Sequence, residues 1–184
     1  GKLTVAEFER LLIGAAQGDS DLLAFATLGG FCGIRPAELG KLAWDHVNLE
    51  EKFVTVPPEI AKGRSIRNVA IPDCAIEWLI LCKPKTGPIA NPKNFRKRWD
   101  RLREGAELLA TWPHDALRHS AGSYNYALHN DSAATAAMLG HPNDTLLFEH
   151  YRALTTKKEA ERFYGLLPAK TARRKVINLK TVGL

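Results

Sequence analysis

Apolar residues recur at helical spacing through almost every segment of this chain, and only the stretch between positions 53 and 71 reads as β instead. A chain with so little strand has to bury its helices chiefly against one another. The expected class is therefore mainly α with a small antiparallel β-hairpin or three-stranded sheet. Residues 3–16 carry Phe8, Leu11, Leu12 and Ala15 on one helical face, with Thr4 and Glu7 in a capping-box pattern and Gly18 as the stop. Residues 21–31 form a second, more apolar helix ended by Gly33, and Pro36 suits the first turn of a short third helix over 36–42. Arg35 is thereby set at a helix entrance. The β-like runs 53–56 and 66–71 are separated by Pro57, Pro58 and a Lys62-Gly63 turn, which puts Lys62 at the edge of a hairpin. A helix over 72–81 follows Pro72, then the loop KPKTGP, then a long basic helix that starts at Asn91-Pro92 and turns Phe95, Trp99, Leu102 and Ala106 inward. From Asp115 the pattern is helical again. Tyr124, Tyr126 and Tyr164 read as packing residues, as do Trp44, Trp78, Trp99 and Trp112.

A chain of 184 residues that is 45% apolar can bury one core, so a single domain over 1–167 is expected, followed by a basic, poorly periodic tail over 168–184. The net charge of +6 fits a polyanionic partner without requiring one. Cys32, Cys74 and Cys82 are odd in number and sit in apolar stretches, where a free thiol behaves as a small core residue and a reducing cytosol suits it best. With no signal-like start and no apolar run of about 18 residues, the expectation is a soluble, intracellular protein without a membrane partner. The chain opens at Gly1 without an initiator Met, which suggests an excised piece lacking a preceding domain.

The chemistry gathers near the C-terminal half. His114, Arg118, His141 and Tyr151, in WPHDALRHS, LGHPN and FEHYR, are groups suited to attacking a phosphodiester. Such an ester is anionic, so a site that opens it needs fixed cations and donors around phosphorus. Arginine holds two phosphate oxygens at once, a tyrosine hydroxyl can serve as covalent nucleophile, and histidines can share protons with the same oxygens. The six histidines contain no H-E-x-x-H helix and no pairing with cysteines, so no metal and no cofactor is expected. A Ser-His-Asp reading with Ser120 or Ser123 lacks the nucleophile-elbow glycines. Taken singly, Arg35 reads as a surface ion-pair residue, Lys62 as a turn lysine and Tyr151 as a core ring. The run KNFRKRWDRLR is by default a solvated helix face; in a DNA enzyme Lys93, Arg96, Lys97, Arg101 and Arg103 would contact backbone phosphates.

Arg35 in GIRPAELGKL, Lys62 in AKGRSIRNVAI, Arg118 in LRHS, His141 in LGHP and Tyr151 in EHYR stand in the order found in tyrosine recombinases, and the opening LTVAEFERLL is similar to the start of their catalytic domain. Over nearly its whole length the chain resembles that phage-integrase family. The resemblance implies a tyrosine recombinase catalytic-domain fold and site-specific cleavage and rejoining of double-stranded DNA. It implies that Arg35 and Arg118 bind the scissile phosphate, Lys62 protonates the departing 5′ hydroxyl and His141 hydrogen-bonds a phosphate oxygen. Tyr151 would form a 3′-phosphotyrosyl link, with neither metal nor ATP needed for rejoining. Full-length relatives add an N-terminal DNA-clamping domain and assemble as tetramers on two sites; this chain alone is expected to bind weakly and as a monomer, in the nucleoid of the cytoplasm.

Two departures stand out. The family's second box is His-x-x-Arg, whereas here Asp115 holds the place three before Arg118 and His114 lies one earlier. His114 then reaches the site only if the turn before the helix shifts by one residue, and Asp115 is open to two readings, a helix cap or a carboxylate base. Ten residues separate His141 from Tyr151, where nine is common in the family. The rival readings are a non-catalytic DNA-binding module of the same fold, a type IB topoisomerase-like relaxation activity, and a helical scaffold without nucleic acid.

Overall fold

The computed structural model describes residues 1–141 and 155–168. Helix α1 (Val5–Gly18) begins at Thr4, whose hydroxyl accepts from the Glu7 amide at 3.3 Å while the Glu7 carboxylate accepts from the Thr4 amide at 2.7 Å. Leu3 and Phe8, on either side of this box, are both buried, the arrangement of a hydrophobic staple. Helix α2 (Ser20–Cys32) has every residue from Leu22 to Cys32 buried, because α1, α4 (Asp73–Ile80) and α6 (Ala116–His129) surround it. Its Gly30 lies where a Cβ would come within 2.2 Å of the Phe8 ring, so only glycine lets α1 approach this closely.

Helix α3 (Pro36–Leu39) is shorter than the pattern suggested, and a 3₁₀ turn (Trp44–His46) leads into the sheet. Strands β1 (Val47–Asn48), β2 (Phe53–Val56) and β3 (Arg67–Ala70) form a three-stranded antiparallel sheet in the order β1-β2-β3, with Val54 opposite both Val47 and Val69. Strand β1 carries no clear signature in the sequence because two residues are too few to alternate.

Helix α5 (Phe95–Gly105) starts later than Asn91-Pro92, after Asn94 adopts a left-handed φ of 54°. Phe95 and Trp99 pack against Phe25 with ring centroids 4.9 and 5.1 Å away. Helix α7 (Ser132–Leu139) follows α6, and α8 (Lys157–Tyr164) inserts Phe163 among Phe8, Phe31 and Tyr124. The Tyr124 hydroxyl donates to the Leu3 carbonyl at 2.9 Å, tying α6 to the chain start. All three cysteines are buried free thiols, and burial pushes Cys74 and Cys82 up to about 12. Among the described residues no helix is long and apolar enough to cross a membrane.

Candidate active site

The two arginines meet at the end of α7. Arg118 lies in the first turn of α6 and is only 5% exposed. Its Nη1 donates to the Gly33 carbonyl and its Nη2 to the Leu139 carbonyl, both at 2.7 Å. Arg35 precedes Pro36 at the mouth of α3, and its Nη1 reaches the same Leu139 carbonyl at 3.3 Å while Nη2 reaches the Gly140 carbonyl at 3.4 Å. The last carbonyls of a helix have no partners within it and carry the negative end of its dipole, so two guanidinium groups are well placed there.

Glycine makes this convergence possible at Gly33, which has φ +67° and a Cα so close to α7 that a Cβ would lie 2.4 Å from Leu139 Cδ2. His141 follows Gly140 and is anchored by its amide on the Ala136 carbonyl at 2.9 Å. Burial, then the charges of Arg118, Arg35, His119 and Lys62, hold its imidazole below the usual histidine range. The lowering favours the neutral ring, which has one nitrogen to donate and one to accept. Lys62 is exposed in the β2–β3 connection, beyond the turn 57–61, and its backbone N–H donates to Glu38 Oε1 at 3.2 Å.

His114 is held differently. Its side chain is 93% exposed, and its Nδ1 lies 3.7 Å from Asp115 Oδ2. Asp115 occupies the N-cap position of α6 with a left-handed φ of 49°, but its carboxylate makes no capping bond. The turn leaves the His114 side chain in solvent. The half-buried histidine next to Arg118 is His119, depressed first by burial. Tyr151 lies outside the described residues, as does the tail from 169 onward.

Sequence reasoning misses Glu38 and Arg67. Glu38 is buried, and its carboxylate accepts from the Arg35 and Lys62 amides and from both terminal nitrogens of Arg67. Burial raises its pKa, but the hydrogen bonds from Arg67 and Lys62 outweigh that and hold it down at about 2. Glu38 sits three residues after Arg35, the spacing of a capping box, which was a usable local signal. Arg67 offered none, since its partner is distant in sequence.

Of the basic run, Lys93, Arg96, Lys97 and Arg101 are exposed. Lys93, Lys97 and Arg101 share a shallow depression of about 400 Å³ with Asn91, Asn94 and Arg98. Arg103 differs: it pairs with Asp100 and lies over the Trp112 ring, 5.2 Å from its centroid. Among the described residues no three His, Cys, Asp or Glu side chains group as metal ligands.

No family model and no curated protein matches the chain. Among solved structures it is similar to the crystal structure of XerA recombinase, with a TM-score of 0.65 and 18% identity over 90% of this chain. The match spans 64% of that protein's length. The mainly helical architecture with its three-stranded antiparallel sheet is thus the fold of a known recombinase.

Proposed function

We propose that this chain is the catalytic domain of a tyrosine recombinase that cleaves and rejoins double-stranded DNA. The observation that carries the reading is the meeting of Arg35 and Arg118 on one carbonyl, with His141 two residues further along the same turn. Two permanent cations held side by side suit an anionic phosphoryl group, and fixed donors need no reorganisation as charge builds in the transition state. The phosphate would replace the long Arg35 contacts and leave the short Arg118 contacts in place.

In this reading the Tyr151 phenolic oxygen attacks phosphorus as its proton passes to water, forming a 3′-phosphotyrosyl bond while the bond to the 5′ oxygen breaks. Lys62, on an exposed loop, delivers a proton to that leaving oxygen. Neutral His141 hydrogen-bonds a non-bridging oxygen. Attack by a 5′ hydroxyl from a partner strand reverses the sequence and regenerates the phenol, so no ATP or metal enters the balance. Lys93, Arg96, Lys97 and Arg101 contact backbone phosphates. A DNA-clamping domain and assembly as a tetramer on two sites complete the reading, at the nucleoid.

The test is a suicide DNA substrate bearing a nick near the cleavage point. Wild type accumulates a covalent adduct and Tyr151→Phe does not; an adduct persisting in Tyr151→Phe would overturn the nucleophile assignment. The exposure of His114 favours one second reading, a DNA-binding module of the same fold without chemistry, for which the gel shifts but no adduct forms.

A further inference from the structure

Arg67 opens β3, and its guanidinium is clasped by Glu38: Nη2 meets Oε2 at 2.6 Å and Nη1 meets Oε1 at 3.1 Å. The pairing is bidentate and nearly dry, with side chains 13% and 2% exposed. Glu38 Oε1 also accepts from the Lys62 amide at 3.2 Å and Arg35 Nη1 at 3.4 Å, and Oε2 accepts from the Arg35 amide at 3.2 Å. An ionised carboxylate accepts at both oxygens, whereas a protonated one turns an acceptor into a donor. On its other side the Arg67 side chain lies across Gly140, where a Cβ would meet its Cδ, Nε and Cζ at 3.1 Å. Gly140 is the residue whose carbonyl receives Arg35 and whose neighbour is His141.

We propose that Arg67 is a positioning residue of the candidate site, holding the Lys62 loop and the turn before His141 in register with Arg35 through Glu38 and Gly140. The inference rests on the phosphoryl-transfer reading and adds to it a residue outside the Arg-Lys-Arg-His-Tyr set. One planar group does what a lysine cannot, because an ammonium is a point charge that does not span both carboxylate oxygens while lying flat on a glycine.

Arg67→Lys and Arg67→Met test this, the lysine variant keeping the charge so that the buried Glu38 is not left unpaired. Two readouts need no DNA: hydrogen exchange at the Lys62 amide, and the NMR titration of the His141 ring, which senses Arg118, Arg35, His119 and Lys62. In Arg67→Lys the Lys62 amide exchanges faster and the His141 titration moves. Adduct formation at saturating suicide substrate slows roughly ten- to a hundredfold, the scale of a misplaced catalytic group, while the half-saturating DNA concentration stays within about twofold. A filler role would lower the melting temperature of Arg67→Met and leave the titration and the split between rate and affinity unmoved. If wild type cleaves and Arg67→Lys matches it in exchange, titration and rate, the positioning role is wrong and the recombinase reading stands. If wild type forms no adduct while exchange and titration respond, the recombinase reading falls and the positioning of the cluster by Arg67 stands.

Discussion

Arg118 and Arg35 are held differently, and their replacements should differ accordingly. The short Arg118 bonds reach two buried carbonyls from one fork, so Arg118→Lys, which lacks the fork, should lose one of these charge-assisted bonds and cost about 1–3 kcal/mol in a denaturant titration. Arg35 makes only long contacts, so Arg35→Gln should leave the unfolding midpoint nearly unchanged while slowing adduct formation by roughly a hundred- to a thousandfold. Glu38 supplies a pH test. Its folded pKa lies at about 2 against a reference of 4.5, so its stabilising share is full above 4.5 and disappears as pH falls through about 2. Acid unfolding of Glu38→Gln should lack that part of the slope between pH 4.5 and 2. At this scale the sequence put forward Arg35, Lys62, Arg118 and His141 as candidates by residue type and order. The carbonyls of Gly33, Leu139 and Gly140 could not be picked out, because backbone acceptors carry no residue signature.

Among elements, α8 shows how few residues can dock a helix. Phe163 stands with ring centroids 5.0 Å from both Phe8 and Phe31 and 4.1 Å from Tyr124. Phe163→Ala should cost about 3–5 kcal/mol, since those rings cannot collapse into the space left. A midpoint shift under about 1 kcal/mol would mean that α8 is not docked as described. Gly33→Ala places a methyl against Leu139 and forces an L-residue to φ +67°. The expected loss is about 2–5 kcal/mol, combining left-handed strain and overpacking. The caps of α1 and α2 and the identity of each helix were legible as local codes. The late start of α5 was not, because Asn94 takes up a left-handed turn that its neighbours impose.

For the molecule as a whole, the exposed basic side chains of α5 and its approach are the ones that the proposed DNA contact would use. Neutralising Lys93, Lys97 and Arg101 together should weaken duplex binding and lower the salt slope by about 0.9 for each phosphate that is no longer neutralised; an unchanged slope would remove this face from the interface. Arg103 should not contribute, being committed to Asp100 and Trp112. By itself the sequence determined the mainly helical class, the small sheet and the packing roles of the tryptophans, and it put forward an ordered set of candidate residues. These follow from periodicity, caps and side-chain chemistry, all of which are local. Tertiary structure decided which of those residues meet. It brought Arg35 and Arg118 onto one helix end, left His114 at the surface, and introduced Glu38 and Arg67 as the link to Lys62. Such meetings depend on how closely helices approach across glycine and on which buried charge finds a distant partner, and neither is written in any one stretch of chain.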